Sequence, residues 1–323
     1  MALLIYCENW DGKFKKSSYE LVSYGTQVAE MINGSVTVLS IGDVADSELA
    51  TLGKYGASKV ISVAGDLYKS LDSQVYAELI ASVALSEKAS TLLFANNNTG
   101  KALAPRLSVK LKAGIASGVS GLPVSVNPFT LKKRAYSGSA TSSVSIKSEK
   151  RIIMLSQNSF ELVEKPVTPQ IEKRDIAVDS SLKKVTVKDT QKQTGKLLIT
   201  DAEIVVAGGR GMKSGDNWGP LLELADLLGG ATACSRPVSD EGWRPHEEHT
   251  GQTGKIIAPN LYIAVGISGA TQHIAGVSSS KYIVAINTDK DAPIFETAQY
   301  GIIGDAAKVL PKLIEAVKEI KSK

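Results

Sequence analysis

The first half of the chain alternates short apolar runs with amphipathic stretches. The amphipathic stretches at Ser18–Ile32, Asp46–Tyr55 and Ser73–Glu87 have helical periodicity, and a polar loop at Asn96–Gly100 predicts a further helix from Lys101. Strands that alternate with helices in this way favour a mainly parallel sheet with crossover helices. The predicted strands are Leu3–Cys7, Val36–Ile41, Val60–Val63 and Leu92–Ala95.

The pattern changes after Val119. Short alternating segments at Leu131–Ser137 and Arg151–Leu155 predict antiparallel strands added to the sheet. Charges and turn-forming residues fill Pro166–Gly195, which we interpret as the connection to a second domain. The fold class expected is therefore α/β in two domains, over residues 1–190 and 191–323, each with a mainly parallel sheet flanked by helices, and the second doubly wound.

Five short apolar segments follow in the second domain, and each is a plausible parallel strand. Ligands of open parallel sheets bind outside the carboxyl ends of the strands, so the loops that follow these segments are expected to share one crevice. The segments are Ile204–Ala207, Ala231–Cys234, Leu261–Val265, Ile283–Ile286 and Ile302–Ile303. The loops are Gly208–Gly211, Ser235–Pro237, Gly266–His273, Asn287–Asp289 and Gly304–Asp305.

The residues of these loops suit a phosphate-bearing ligand. Glycines allow close approach of the backbone, helix N-termini offer free N–H groups, and Arg210 and Arg236 add planar cationic donors. Each loop alone is equally compatible with ordinary turn chemistry, and Arg236 alone with a surface salt bridge. Gly208–Gly211 is not a GxGxxG fingerprint, so the sequence gives no support for a nicotinamide cofactor. The coincidence of five such loops favours a nucleotide.

A further glycine-bracketed segment, Thr250–Lys255, lies between the second and third of these strands. It is either a simple turn or a loop that presents the Gln252 amide and the Thr253 hydroxyl to a heteroaromatic ring.

Composition narrows the class of protein. The net charge of +4 arises from 37 basic and 33 acidic residues spread along the chain, which does not indicate a nucleic-acid interface. The sequence contains no apolar run of the ~18 residues that span a membrane, and no targeting segment is evident, so we expect a cytoplasmic protein of bacterial type without direct membrane insertion. A mature organellar chain would have the same features.

Cysteine and histidine usage gives no sign of a metal site. Cys7 and Cys234 are far apart, and we interpret both as reduced, partly buried thiols. The three histidines, His246, His249 and His273, form no ligand-spaced cluster.

The loop motifs, in their order and spacing, closely resemble the C-terminal FAD domain of electron transfer flavoprotein alpha subunits. The resemblance is strong from about Glu203 to the C-terminus and weaker upstream. The matching motifs are Gly208–Gly211, Cys234–Arg236, Gly251–Lys255, Ala258–Pro259, Leu261–Ala270, Gln272–His273, Ala285–Asn287, Asp289 and Ala292–Phe295.

The resemblance implies a role for each loop in binding FAD. Arg210, Ser235 and Arg236 would lie on the flavin–pyrophosphate side, and Asn287 and Asp305 at the adenosine end. Thr250, Gly251, Gln252 and Thr253 would wrap the isoalloxazine edge, with Gln252 and Thr253 near the pyrimidine end and N5. The loop from Ser268 through Gly269, Ala270, Thr271 and Gln272 would cradle ribityl and phosphate and place His273 beside the flavin C2 carbonyl.

Three positions depart from the family pattern. Cys234 stands where a small residue is usual, and Thr250 and Thr271 stand where the family often has hydrophobic residues. None of these changes removes an implied polar contact, but each is a place where potential or access is tuned.

The resemblance implies an electron carrier rather than an enzyme. A cationic or hydrogen-bond-donating His273, together with Arg236, would favour the negative charge that one-electron reduction places on the flavin. A neutral donor or a packing residue is the alternative for His273. No catalytic triad or paired catalytic carboxylates accompany the site.

The implied partners follow from the family. The chain would form a heterodimer with an electron transfer flavoprotein beta subunit, which packs on the N-terminal domain and also against the C-terminal one, and holds AMP or a second FAD. Acyl-CoA dehydrogenases or similar flavoenzymes of fatty acid beta-oxidation would donate electrons, and a membrane quinone reductase would accept them. Two alternatives remain open: a stand-alone nucleotide-dependent oxidoreductase, and an adenine-nucleotide-binding regulatory module.

Overall fold

The computed structural model describes residues 2–138, 140–190 and 197–322. These residues form two compact units: an N-terminal unit of residues 2–135 with 140–190, and a C-terminal unit of residues 136–138 with 197–322. The predicted boundary between residues 190 and 191 adjoins residues 191–196, which lie outside the described residues, so it stays a prediction. Within the described residues no helix is both long and apolar enough to cross a membrane.

The N-terminal unit is built on one large, mainly parallel sheet. The strands of this unit are β1 Ala2–Tyr6, β2 Asn9–Trp10, β3 Lys13–Phe14, β4 Ser35–Ile41, β5 Lys59–Val63, β6 Ala89–Ala95, β7 Gly114–Val119, β8 Ser125–Val126, β9 Phe129–Ala135, β10 Ala140–Ile146, β11 Arg151–Leu155 and β12 Gln170–Lys173. The strand order of the large sheet is β10-β9-β7-β11-β6-β1-β4-β5-β12, with β8 beside β9, and β2 and β3 form a separate ladder. The strands from β7 to β12 in this order are parallel, and β8, β9 and β10 pair antiparallel.

Helices cover both faces of this sheet and produce two apolar cores. The predicted helices are present, as α1 Lys16–Met31, α2 Asp46–Thr51, α3 Ser73–Ser86 and α4 Asn98–Leu111. Helix α4 begins at Asn98 rather than at Lys101, because the Asn97 side chain accepts a hydrogen bond from the Gly100 amide and caps the first turn (2.8 Å).

The orientation predicted for Arg151–Leu155 was wrong. Strand β11 lies between β6 and β7 and is parallel to both. Its apolar residues are continuous rather than alternating, and Ile152 and Ile153 are completely buried. Continuous apolar sequence is typical of a strand that is covered on both faces, which is the position that β11 takes.

The first part of the predicted connection also contains a strand. Strand β12 pairs with β5 at the edge of the sheet. Arg174 and Lys59 both bind the carboxylates of Glu87 and Glu172 at 2.5–3.1 Å, which fixes this segment beside α3. The segment lacks an apolar pattern because charge pairs and backbone pairing hold it at an exposed edge.

The C-terminal unit contains the predicted second sheet. All five strands are parallel, in the order β14-β13-β15-β16-β17, and each agrees with a predicted segment. They are β13 Ile204–Gly208, β14 Ala231–Cys234, β15 Leu261–Val265, β16 Tyr282–Asn287 and β17 Tyr300–Ile303.

Successive side chains of these strands enter two different cores. The helices of this unit are α5 Gly219–Leu228, α6 Arg236–Asp240, α7 Thr271–Val277, α8 Ile294–Thr297 and α9 Ala306–Lys321. Val206 and Ile263 face α5 and α9, whereas Val205 and Tyr262 face α7 and α8. The sheet is therefore doubly wound, as predicted. The chain reverses direction across the sheet between β13 and β15, and this switch point is where such sheets bind ligands.

Candidate functional site

The loops after β13 and β15 are packed backbone to backbone at the switch point. The Gly209 amide donates to the Val265 carbonyl (2.9 Å) and the Gly211 amide to the Gly266 carbonyl (3.0 Å). A Cβ atom on Gly209 would lie 2.2 Å from the Gly266 carbonyl oxygen, and Gly266 has a φ of +62°. Only glycines permit this approach, so the motif Gly208–Gly211 has a structural cause beyond simple turn formation.

The loop after β14 and the segment Thr250–Thr253 join the same edge. The Thr250 amide donates to the Cys234 carbonyl (3.0 Å), and the Gln252 amide donates to the Gln272 carbonyl at the start of α7 (2.8 Å). Gly276 contacts Gly251 so closely that a Cβ atom on Gly276 would lie 2.4 Å from the Gly251 Cα. The segment is therefore held against α7 by its backbone, and the side chains of Gln252 and Thr253 remain exposed.

The loop after β16 supports the loop after β15, which forms part of the same edge, and we call this edge the rim of the site. The Asn287 amide group donates to the Ile267 carbonyl (2.9 Å), and its oxygen accepts from the Asp289 amide (3.0 Å). The Ile294 amide donates to the Ser268 carbonyl (3.0 Å). The side chain of Asn287 thus holds the loop that contains Ser268, Gly269 and Ala270.

The loop after β17 is tied to the loop after β13 by an ion pair. Asp305 accepts from the Ala307 amide at the start of α9 and pairs with the Lys213 ammonium, both at 3.0 Å. The hydrogen bond from the Lys213 ammonium and the one from the Ala307 amide both hold the pKa of the Asp305 carboxyl below its usual value. Sequence reasoning missed Lys213, whose φ of +67° turns the chain after the glycine loop.

Both arginines that the sequence singled out, Arg210 and Arg236, are exposed at this edge. Arg236 begins α6 and makes a single contact with Asp240 at 3.3 Å, with both side chains more than half exposed. Pairs of this kind contribute little to stability, so the guanidinium is available to a ligand.

A buried ion pair that sequence reasoning missed lies directly before the Thr250 segment. Arg244 binds Glu248 through two hydrogen bonds of 2.8 and 2.6 Å, and both side chains are largely enclosed. The guanidinium also lies 5.8 Å from the centre of the Trp218 ring. The i,i+4 spacing of opposite charges was visible in the sequence, but its burial was not.

His273 points into the protein rather than into solvent. Its Nε2 atom lies 2.8 Å from the Tyr262 hydroxyl, and its Nδ1 atom is enclosed without a hydrogen-bond partner among the described residues. Burial lowers the pKa of His273 to about 4; the Thr250 backbone opposes the shift, and nearby His249 adds to it. The ring is therefore neutral at neutral pH, which favours a neutral donor over the cationic form that we considered.

His249 is a second enclosed imidazole that the sequence did not single out. Its side chain is buried, its Nδ1 atom also has no partner in the described part of the chain, and its ring lies 5.4 Å from that of His246. Burial lowers the pKa of His249, and His246 adds to the effect. A Cβ atom on Gly254 would lie 2.8 Å from Nδ1 of His249, so this ring supports the Gly251–Gly254 turn.

Comparison with known protein families shows which cofactor belongs to this domain. The family model described as "Electron transfer flavoprotein domain" matches residues 3–180, and the one described as "Electron transfer flavoprotein FAD-binding domain" matches residues 198–278. The chain belongs to the electron transfer flavoprotein alpha-subunit family. It is accordingly an electron-transfer subunit that binds FAD, rather than an enzyme with its own small-molecule substrate.

Curated relatives of the family match almost the whole chain. The electron transfer flavoprotein alpha subunit of Syntrophomonas wolfei is 34% identical over 98% of both chains. That of Pseudomonas aeruginosa is 36% identical over 98% of this chain and 100% of its own. The acryloyl-CoA reductase electron transfer subunit beta of Anaerotignum propionicum is 31% identical over 98% of this chain and 96% of its own.

The residues of the C-terminal unit fit FAD, the cofactor of this family. The exposed polar groups of Gln252, Thr253 and Ser268 lie along the edge where the glycine loops pack backbone to backbone. The enclosed Nδ1 atom of His273 lacks a partner, as expected of a donor reserved for a ligand. Among the described residues, no group of three or more His, Cys, Asp or Glu side chains is placed to hold a metal ion.

The three departures from the family pattern lie in different surroundings. Cys234 is completely buried in the core beside Trp218, and burial raises the pKa of its thiol to about 12. The Thr250 hydroxyl donates to the Cys234 carbonyl (3.2 Å). Thr271 is exposed at the first residue of α7. Of the three, only Thr271 is exposed for contact with a ligand.

Proposed function

We propose that this electron transfer flavoprotein subunit carries single electrons on its FAD from a flavoprotein dehydrogenase, such as an acyl-CoA dehydrogenase, to a membrane quinone reductase or a similar acceptor. The supporting observation is the glycine-packed switch-point edge, where exposed Gln252 and Thr253 lie on a backbone that is fixed against α7.

The roles of the site residues are part of the proposal. Arg210, Ser235 and Arg236 act on the flavin–pyrophosphate side, and residues 250–253 act at the isoalloxazine edge. Residues 268–272 hold ribityl and phosphate, His273 serves the flavin C2 carbonyl, and Asn287 and Asp305 serve the adenosine end. The internal bonds of Asn287 and Asp305 indicate that these two act by holding the rim.

We also propose a 1:1 heterodimer with a beta subunit that packs against both domains of the chain and contains AMP or a second FAD. Trp218, an aromatic residue near the site, is buried against Gly208 and cannot cover a flavin ring. The exposed Gln252 and Thr253 likewise offer no large apolar cover. A second protein surface is needed to exclude water and oxygen from the cofactor.

The pathway and location are inferred from the family alone. Fatty acid beta-oxidation in the cytoplasm is the proposed setting, and the two buried, free thiols are compatible with a reducing compartment. One relative is named as an electron transfer subunit of an acryloyl-CoA reductase, so a reductase of that kind is a further candidate partner.

The test is to express the chain with and without its beta subunit and to measure bound nucleotides and electron transfer. We expect one FAD per alpha chain in a 1:1 complex, poor solubility or weak FAD binding alone, and reduction by an acyl-CoA dehydrogenase with its substrate. A colourless protein with bound AMP or ATP would support the regulatory module instead. Oxidation of a nicotinamide cofactor by the chain alone would support the stand-alone oxidoreductase.

A further inference from the structure

Tyr262 lies inside the C-terminal unit, on the strand whose following loop belongs to the proposed flavin site. It is the second residue of β15, and its side chain is completely buried in the core under α7. A buried phenol needs a partner for its hydroxyl group. The Nε2 atom of His273 lies 2.8 Å from that hydroxyl, and the Thr250 side chain is also hydrogen-bonded to it.

The two rings form a neutral pair at neutral pH. Burial raises the pKa of Tyr262, so the phenol keeps its proton, and burial lowers the pKa of His273 to about 4, so the imidazole carries one proton. A neutral imidazole has one donor and one acceptor nitrogen. The direction of the Tyr262–His273 hydrogen bond therefore determines which nitrogen of His273 holds the proton.

The surroundings of the phenol set this direction. If Nε2 donated to the phenol oxygen, the phenol proton would need another acceptor. The Thr250 hydroxyl is the other hydrogen-bonding partner of the phenol, and this bond lowers the pKa of the phenol, as a bond donated to the phenol oxygen does. Thr250 is likewise the donor towards the Cys234 carbonyl at 3.2 Å, so it supplies a proton rather than accepting one. Nε2, which lies at the distance of a good hydrogen bond, is the acceptor that remains. The phenol therefore donates to Nε2.

We propose that Tyr262 is a positioning residue of the flavin site, which holds His273 in the tautomer that has its proton on Nδ1. Nδ1 is enclosed and makes no well-aligned hydrogen bond in the described part of the chain, although the Thr250 backbone lies close enough to the ring to oppose the lowering of its pKa. An enclosed donor of this kind calls for an acceptor from outside the chain. The use of that donor by FAD rests on the proposed function of His273, whereas the tautomer itself does not.

The first experiment reads the tautomer directly and needs no cofactor. The full chain with its beta subunit is labelled with ¹⁵N-histidine. The alpha chain contributes only three histidines, so His246→Gln and His249→Gln variants assign the signals. We expect His273 to be protonated on Nδ1 from pH 6 to 8. Protonation on Nε2, which would result if the phenol donated to Thr250, would overturn the proposal.

The matched variants are Tyr262→Phe, which removes only the hydroxyl, and Tyr282→Phe, which removes an exposed hydroxyl on the neighbouring strand β16. We expect Tyr262→Phe to shift the tautomer ratio of His273 towards Nε2–H by about tenfold, which corresponds to ~1.4 kcal/mol. Tyr282→Phe should leave the ratio unchanged. An unchanged ratio in Tyr262→Phe would also overturn the proposal, and the wild-type measurement decides the matter if this variant does not fold.

The second experiment measures the reduction potential of bound FAD in the same complexes. Loss of the oriented donor in Tyr262→Phe should lower the potential, and Tyr282→Phe should not. A tautomer shift without a change in potential would leave Tyr262 as the residue that orients His273 but would refute the contact of His273 with the cofactor. The two claims therefore fail separately.

Discussion

The two sheets of this chain each have a switch point, and a carboxylate of the chain itself lies at the one in the N-terminal unit. We call that one the closed crevice and the switch point of the C-terminal unit the open crevice. In the N-terminal unit the switch point lies between β1 and β6, where the Glu8 carboxylate accepts hydrogen bonds from the Asn97 amide and the Thr99 hydroxyl, both at 2.8 Å. In the C-terminal unit the corresponding position is occupied by the backbone of Gly209 and Gly266.

This difference shows that a doubly wound sheet provides a crevice, but that the residues of its loops determine whether the crevice binds a ligand. In the N-terminal unit a negative side chain already occupies the place beside the start of α4 where an anion would bind, and its bonds are satisfied within the chain. In the C-terminal unit the loops lack such a carboxylate at the glycine contact and enclose imidazole nitrogens without partners. The open site is thus the one whose polar groups are incompletely satisfied.

The largest effect is expected from the buried ion pair beside the open crevice. Arg244→Met should leave the Glu248 carboxylate enclosed and unpaired, and should lower the free energy of unfolding by about 3–5 kcal/mol. Urea unfolding of the complex measures this loss. The double variant Arg244→Met/Glu248→Leu should recover most of the stability, and a double variant as unstable as the single one would contradict a charge-based explanation.

Acidification should destabilise the C-terminal unit through His273. Its pKa of about 4 in the folded chain lies below the ordinary 6.5, so between these values the unfolded chain binds a proton that the folded chain does not. The contribution of the His273 ring to the free energy of unfolding is therefore fully present above pH 6.5. It decreases by up to about 3 kcal/mol as the pH falls towards 4.

Unfolding in urea at pH 7.5, 6 and 4.5 measures the slope of the free energy of unfolding against pH. His273→Gln should flatten it, whereas Tyr262→Phe should keep the ring buried and the slope largely in place. An unchanged slope in His273→Gln would show that His273 is not the titrating group.

The glycine contact should be intolerant of a methyl group. Gly209→Ala would place a Cβ atom 2.2 Å from the Gly266 carbonyl oxygen, and should reduce the FAD content and cost about 1–3 kcal/mol of stability. Gly219→Ala is the control, because a Cβ atom there has no neighbour within 4 Å. Absorbance of FAD per alpha chain distinguishes the two variants, and equal FAD contents would show that the close contact is dispensable.

A substitution in the closed crevice of the N-terminal unit should lower the stability of the chain without changing its FAD content. Glu8→Ala removes the acceptor for Asn97 and Thr99 and should lower stability by about 1–3 kcal/mol, with no change in FAD content. Glu8→Gln retains one acceptor and should lose less. A fall in FAD content in Glu8→Ala without a loss of stability would mean that the N-terminal crevice takes part in cofactor binding.

The smallest effect on stability is expected at Arg236. Arg236→Ala removes one exposed ion pair and should change stability by less than about 0.5 kcal/mol, but should lower the reduction potential of FAD because a cation near the flavin is lost. Arg236→Lys should restore part of the potential, since an ammonium lacks the planar donor array. Unchanged potentials in a redox titration would remove Arg236 from the site.

Local pattern was sufficient for most of the fold. The five strands of the C-terminal unit and their shared edge were predicted because apolar runs followed by glycine-rich loops have few other arrangements in an α/β protein. The pattern could not orient β11, because an apolar run does not reveal the direction of its neighbours. It could not find β12 either, since that strand depends on charge pairs with residues about 90–110 positions away.

The sequence by itself determined the sheet of the C-terminal unit, the glycine loops and the family, because each depends on local residue types in a fixed order. The tertiary structure alone decided the chemistry of the enclosed groups. His273, His249 and the Arg244–Glu248 pair acquire their charge states and their importance from burial and from partners such as Tyr262. Desolvation depends on everything packed around a group, so no local pattern in the chain can specify it.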